Sequence, residues 1–561
     1  MTSAADDEES DARRRWWQNV EAPAGEFQWH LPERFNIGTA CADDQPAGDL
    51  ALIVDDGAGD EPQRLTFGDM AARSARLVSV LQALGVQPGD RVGVMAPQGV
   101  DVAVAHLASY KAGAVIVPLS TQFGPDALLY RLGHAEARVV VIAADYEARL
   151  AAVADRLPGL HHVLVAGGPG EGAAERGGGG PGARWHDLAV LIEEAAPAPA
   201  VETMAGDSAL LIYTSGTTGP PKGVLHRHRV LLAQMPGLRI SHDGFPQPDD
   251  VFWTPADWAW AGGLFDTLLV SWLCGRPVVA SRRKFDPRWA YELMARHGVR
   301  NCFLPPTALK QMRQAGPPPP GVALRSIGSG GETLGESILA WAREHLGVTI
   351  NEFYGQTEAN LLIGNGAGHG AVRPGSMGRP YPGSDVVLLD DDGRLVSDGD
   401  EGEVAVRLPH PGAFVEYWRE PERTAEKVAG GWLRTGDQAR RDADGYFSFA
   451  GRADDVISSG GYRIGPGEIE DCLVSHPDVL MAAVIGEPDE LRGEVVVAYV
   501  VPAAGVSSSA ELTAALQDHV KHRLAFYQYP RRLEYVDELP MTTTGKIQRG
   551  ELRRRATMEQ R

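Results

Sequence analysis

The stretch Tyr213-Thr214-Ser215-Gly216-Thr217-Thr218-Gly219-Pro220-Pro221-Lys222-Gly223 decides how this chain is read. It follows an apolar run, Ala209 to Tyr213, that predicts a short buried strand. Three glycines, four hydroxyl side chains and one lysine then fall within ten residues. Glycine lets backbone N–H groups close around a ligand, and such a concavity binds anions. The hydroxyls add donors, and Lys222 adds a mobile positive charge. The pattern is a phosphate grip. It is not the common nucleoside-triphosphatase loop, in which Gly and four further residues precede Gly-Lys-Ser/Thr. Here only Pro220 and Pro221 separate Gly219 from Lys222, and Gly223 stands where that loop has its magnesium-binding hydroxyl. Kinase-type and GTPase-type readings are disfavoured.

Outward from the grip, helices alternate with short apolar strands. Phe67 to Leu84 predicts a helix, Asp90 to Ala96 a strand, Val102 to Ala112 a helix, and Ala114 to Pro118 and Val139 to Ala143 further strands. The alternation resumes with a helix over Leu264 to Trp272, a strand over Pro277 to Ala280, a helix over Trp289 to His297 and a strand over Asn301 to Leu304. That order argues for layered, parallel α/β sheets. Gly167 to Gly182 reads as a glycine-rich surface loop, and Pro317 to Pro320 as a stiff turn. From Asp385 the texture changes to strands joined by Asp/Gly turns, at Asp385 to Asp390, Gly402 to Leu408 and Gly445 to Phe449. A new unit begins after Arg452-Ala453-Asp454-Asp455. Its expected helices are Gly467 to Ser475 and Ala510 to Leu524, and its strands Met481 to Ile485 and Val495 to Val501. The expected division is 1–451, a hinge at 452–455, and a small unit at 456–561.

A chain of 561 residues exceeds one core, so several domains are expected. Its 43% hydrophobic and 23% charged residues are those of a globular protein. The net charge of −21 argues against nucleic-acid partners, which need a basic face. Between His519 and Arg555, however, nine Lys/Arg stand against four Asp/Glu. That excess suits either a solvated face or a site for a polyphosphorylated small molecule. No stretch approaches the roughly 20 apolar residues of a membrane span, and Met1 to Asp11 has no signal-peptide core. Four scattered cysteines without a CxxC pair fit a reduced, cytoplasmic setting.

Seven motifs in register resemble the adenylate-forming enzymes, a family that includes acyl-CoA synthetases, luciferases and peptide-synthetase adenylation domains. Besides the grip they are Gly330-Gly331-Glu332-Thr333, Glu352 to Glu358 (EFYGQTE), Trp432 to Asp437 (WLRTGD), Gly451 to Asp455 (GRADD), Gly460 to Gly465 (GGYRIG) and Pro540 to Arg549 (PMTTTGKIQR). Thr254 to Trp260, Tyr462 to Pro466, Arg492 to Val495 and Tyr529 to Arg531 look most like medium-chain acyl-CoA synthetases, cousins of acetyl-CoA synthetase. The resemblance implies an α/β fold: a large N-terminal domain of two layered α/β subdomains plus a distorted β-barrel, with a small mobile α+β C-terminal lid.

It also implies ATP, Mg²⁺ and coenzyme A as reactants or cofactors, a small carboxylate as substrate, and a two-step reaction through an acyl-adenylate. Thr214, Ser215, Gly216, Thr217, Thr218, Gly219 and Lys222 are expected to hold the β- and γ-phosphates, with Glu358 and Thr217 as Mg²⁺ ligands. Gly331, Glu332, Thr333, Glu352, Phe353, Tyr354, Gly355 and Gln356 are expected around the adenosine, and Asp437 and Arg452 at the ribose. Lys546, Thr357, Glu358 and Lys222 are the implied catalytic residues. For the thioester half, the lid is expected to turn about Asp454, withdraw Lys546 and present Gly460, Gly461 and Tyr462 to the pantetheine arm. Gln122, Arg492, Lys521, Tyr529, Pro530 and Arg531 are expected to contact CoA. Arg463 serves the acyl group or the nucleotide end of CoA, and Trp260, Gly355 and Thr357 the acyl group.

Acetyl-specific relatives carry tryptophan where this chain has Gly355, so the glycine is expected to open acyl depth. Trp260 matches a pocket tryptophan of the medium-chain relatives, while Trp258 fits a pocket or a core role equally. Short-branched, medium-chain and aromatic acids all remain open, as do a monomer and a homodimer. The alternative is a ligase that loads a carrier protein, although no Ser-bearing carrier segment follows Arg555.

Overall fold

The structure is a computed structural model describing residues 27–57, 59, 61–167, 182–214, 220–331, 334–366, 369–452, 455, 457–459, 462–489, 493–523, 528–542 and 546–559, with the backbone alone at 452, 458, 462, 463, 468, 493 and 557–559. Parallel strands covered on both faces need continuous apolar runs. Val139, Val140, Val141 and Ile142 supply one, all fully buried. Their strand lies within a seven-stranded sheet ordered Arg184–Asp187, His162–Ala166, Ala137–Ala143, Arg91–Met95, Val115–Pro118, Ser208–Thr214, Lys222–Arg227. Every neighbouring pair is parallel except the last. There Tyr213 pairs with Gly223 and Thr214 with Lys222, so the grip is the loop of a hairpin rather than a strand-to-helix turn. The expected strand before it is present. Positions 215–219 of the grip, and 168–181 of the glycine-rich loop, lie outside the described residues.

A second sheet has nine strands, ordered Arg379–Pro380, Ala359–Gly364, Ile350–Gln356, Ser326–Gly330, Asn301–Phe303, Phe252–Trp253, Val278–Ala280, Leu50–Val54, Gln63–Thr66. Helix Phe67–Ala83, started by a Thr66/Asp69 capping box, packs on Val100–Lys111 within the largest apolar core. Helix Pro287–His297 follows local rules closely: Asp286 caps it, Pro287 opens it and Gly298, at φ 62°, closes it. The helix expected over Leu264 to Trp272 is present, but Leu264–Leu269 is wound as a wide π turn before Val270–Leu273.

A third, antiparallel sheet stands where the barrel is expected. It joins Val386–Leu389, Glu401–Arg407, Trp432–Arg441 and Val428–Ala429, with Phe447–Arg452 paired to Trp432–Arg441. The small C-terminal domain has its own five-stranded sheet, of which Val479–Asp489 and Gly493–Pro502 are the longest strands. Helices Pro466–Val474 and Ala510–Arg523 cover it. Among the described residues no helix is long and apolar enough to cross a membrane.

Candidate active site

Strand Ile350–Gln356 runs through the middle of the constellation, because its alternate residues face different neighbours. The Tyr354 hydroxyl donates to Asp437 Oδ2 at 2.6 Å, and Gln356 Nε2 donates to the Thr435 carbonyl at 3.2 Å. These bonds tie the EFYGQTE strand to the WLRTGD strand. Asp437 is opposite Arg452 in the ladder, which brings the two expected ribose residues to one register position. Glu358 follows on the turn after the strand and is buried. It accepts a short hydrogen bond from the Tyr417 hydroxyl. The same phenol ring lies 4.9 Å from Lys222 Nζ. Lys222, Tyr417 and Glu358 thus form one contiguous group.

Thr357 is held from behind. Its carbonyl accepts a hydrogen bond from His226 Nε2 at 2.8 Å, so the proton sits on Nε2. Burial pushes this imidazole down to about 4, which keeps it neutral. Neither His226 nor Tyr417 is among the residues expected from the sequence. Each acts across a long chain separation, and only the position of His226 on the Lys222 strand gives any local hint.

Lys546 comes from the lid. Thr542 closes a tight hairpin around it, with Thr542 N donating to the Lys546 carbonyl at 2.7 Å and Lys546 N donating to Thr542 Oγ1 at 3.0 Å. The side chain then reaches Gly331, which has φ +97°. A Cβ at that glycine would lie 3.3 Å from Lys546 Cε and 3.9 Å from Nζ. The lid therefore sits with its lysine against the Gly330-Gly331 turn. A second lid contact is electrostatic: Asp471, on helix Pro466–Val474, faces Glu352.

Glu352 is buried, and its Oε1 accepts from Leu334 N at 2.8 Å. Burial, helped by the Asp471 charge, pushes its carboxyl up to about 8. The native state therefore keeps a proton that the unfolded chain releases near pH 4.3, its ordinary value. This contribution to stability is complete in acid and is lost as pH rises towards 8. Glu352→Gln removes the titration. Denaturant unfolding between pH 5.5 and 8 should show a shallower decline for the variant, by about 1.4 kcal/mol per pH unit. Equal slopes would contradict the assignment.

The acyl side requires a correction. Gly355 does not leave a void, because a Cβ there would lie 2.5 Å from Leu361 N and 3.0 Å from Asn360 Cα. The adjacent backbone has moved into the space a side chain would take, with Leu361 at φ +50°. Trp258 is 1% exposed and packs in the largest apolar cluster. Trp260 is half-buried, edge-on to Phe123 at 5.9 Å, and bridges two apolar clusters.

Some expected CoA residues come together on the lid. Tyr529 lies beneath two cations, with Lys521 Nζ 4.5 Å and Arg531 Cζ 5.1 Å from its ring centroid. The Pro530 carbonyl accepts from Gln517, fixing the turn between them. Gln122 lies on an exposed turn of the large domain, after strand Val115–Pro118. Ser215, Gly216, Thr217, Thr218, Gly219, Glu332, Thr333, Asp454, Gly460, Gly461 and Arg492 lie outside the described residues.

Comparison with known proteins matches residues 39–418 to the AMP-binding enzyme family and 468–546 to the AMP-binding enzyme C-terminal domain. The uncharacterized acyl-CoA ligase YtcI of Bacillus subtilis is 33% identical over 535 residues, 93% of this chain and 96% of that protein. The acyl-coenzyme A synthetase ACSM3 of Mus musculus is 33% identical over 560 residues, 96% of this chain and 93% of its own. The anthranilate CoA ligase AuaEII, solved with anthranoyl-AMP, superposes with a TM-score of 0.84 at 29% identity, covering 94% of this chain and 99% of that one. Both domains of the fold, and nearly the whole length of these relatives, are accounted for. The chain belongs to the AMP-binding enzyme family and, within it, to the AMP-forming acyl-CoA ligases.

Proposed function

We propose that this ligase activates a carboxylic acid bulkier than acetate, either short-branched, medium-chain or aromatic. In the first half-reaction a carboxylate oxygen attacks the α-phosphorus of ATP, and the bond to the bridging oxygen breaks, releasing pyrophosphate. In the second, the CoA thiol loses its proton and attacks the acyl carbon, and AMP leaves. The observation that carries the reading is the Lys546 ammonium against Gly331, on the same strand turn that borders Phe353. A fixed cation at the site of charge development lowers the barrier without reorganisation.

Asp437, held by Tyr354, would accept the ribose hydroxyls, with Arg452 as a donor to the same sugar. Lys222 and the 214–219 loop would hold the β- and γ-phosphates. Glu358 is an oxygen donor beside Lys222, and a single carboxylate completed by phosphate oxygens and water fits Mg²⁺, with Thr217 as second protein donor. When bound, that ion would neutralise charge on the phosphates. Residues 452–455 would form the hinge about which the lid turns, exchanging Lys546 for Gly460-Gly461-Tyr462 at the pantetheine arm. Lys521, Tyr529 and Arg531 would receive the nucleotide end of CoA. The cysteines of the described structure are all unpaired, which supports a reduced, cytoplasmic setting.

One finding supports the choice of acid: the anthranilate CoA ligase AuaEII shares this fold, with a TM-score of 0.84. Comparing kcat/KM for acetate, butyrate, isobutyrate, octanoate and benzoate tests this. At least one larger acid should exceed acetate by tenfold or more, and a preference for acetate would overturn the proposal.

A further inference from the structure

Gly355 faces more chain than a regular ladder would give it. Tyr354 pairs with Ile363 and Gln356 with Ala359, so this one residue stands opposite Asn360, Leu361 and Leu362. The excess is a bulge whose backbone crowds Gly355, since a Cβ there would lie 2.5 Å from Leu361 N. Leu361 is left-handed at φ +50°, an unfavourable conformation for leucine that its surroundings must hold. On the other side, a Cβ at Gly237 would lie 2.9 Å from Leu361 Cβ. The bulge is clasped between two glycines.

Its anchor is polar. Asn360 Nδ2 donates to Gln234 Oε1 at 3.0 Å and to Asp266 Oδ1 at 2.5 Å. Gln234 is on helix Val230–Ser241, and its own amide donates to the Val230 carbonyl at 2.9 Å. Asp266 is on the π turn Leu264–Leu269, which is joined to Trp260 by a bond from Leu264 N to the Trp260 carbonyl at 2.9 Å. All three side chains are buried. Burial pushes the Asp266 carboxyl up to about 8, against the pull of its Asn360 bond, so at pH 7 it is mostly protonated. Buried polar groups cost free energy unless paired, and a paired network specifies one arrangement. Three apolar side chains would fill the same space without directing residue 360.

We propose that Asp266, Asn360 and Gln234 are specificity-determining residues: they hold the 360–362 bulge as the floor of the acyl site, so that compact acids, branched or single-ring, are chosen over extended chains. The inference rests on the proposed ligase reading, with Gly355 and Trp260 beside the acyl group, and narrows its choice of acid. The network reaches both sides of that site, because Asn360 borders Gly355 and Asp266 follows Trp260 on the same segment. All three act through the position of the backbone.

The test is kcat/KM for isobutyrate, benzoate and octanoate, beside calorimetric binding of the matching acyl sulfamoyl-adenosines, stable analogues of the acyl-adenylate, to the full-length protein. The unaltered enzyme should favour isobutyrate or benzoate over octanoate by about tenfold or more. Asn360→Ala and Asp266→Ala should bring that ratio close to parity, in turnover and in binding, with the KM for ATP unchanged. Asp266→Asn keeps a neutral side chain and an acceptor for Asn360, so it should keep the preference. A purely structural role would lower all three acids together and leave the ratio alone. Gln234→Met spares the Asp266 bond and the side-chain volume. It should shift the ratio less, in the same direction, and serves if the alanine variants do not fold. A preference for octanoate in the unaltered enzyme would overturn the proposal, as would ratios that move in none of the variants. If no acid yields acyl-CoA, the ligase reading fails, while the sulfamoyl-adenosines still decide the floor.

Discussion

Lys546→Ala is expected to lower acyl-adenylate formation by about 10²–10³-fold, the usual cost of removing a preorganised group that meets developing charge. The thioester half-reaction, started from supplied acyl-adenylate and CoA, should keep a rate near that of the unaltered enzyme. The structure makes the variant clean. Thr542 holds the hairpin through the backbone N and carbonyl of residue 546, and both survive in alanine. The side chain is exposed, so its removal opens no core cavity. What disappears is the ammonium against Gly331. Equal loss in both half-reactions would show that Lys546 acts through lid structure, and loss in neither would remove it from the mechanism.

Glu358→Gln is expected to cost at least about 10²-fold in adenylation, because it deletes a charge while keeping the shape. The glutamine carbonyl still accepts from Tyr417, and the Glu358 backbone carbonyl still accepts from Phe414 N at 2.7 Å. Position is therefore retained, and the loss reports the carboxylate. Tyr417→Phe separates placement from charge: it should cost about tenfold, within the range for groups that orient a metal-facing ligand. Both variants should require more Mg²⁺ for half-maximal exchange, and Mn²⁺ binding followed by electron paramagnetic resonance should weaken in the same order. A Glu358→Gln enzyme within threefold of the unaltered rate would contradict the assignment.

The parts legible in the sequence are those whose cause is local. The apolar run before the phosphate grip, the alternation of helices and strands, and the Asp286-Pro287…Gly298 signals at one helix are all visible within a dozen residues. Spaced motifs also singled out Tyr354, Glu358, Asp437 and Lys546, which the fold takes from two sheets and the lid. Tyr417 and His226 were not legible, because their partners, Glu358 and Thr357, are 59 and 131 positions away. Strand Trp432–Arg441 was hidden by its polar residues, although every position from Asp437 to Ala439 is buried. Gly355 failed for a different reason. A missing side chain admits either substrate or neighbouring backbone, and here Asn360 and Leu361 took the space.

The central claim is an AMP-forming ligation of a carboxylic acid to CoA. Purified protein with ATP, Mg²⁺, CoA and the best acid of the panel should yield acyl-CoA, AMP and pyrophosphate in equal amounts, with acyl-adenylate accumulating when CoA is omitted. Formation of ADP and phosphate, or thioester formed on a holo-carrier protein but not on CoA, would contradict it.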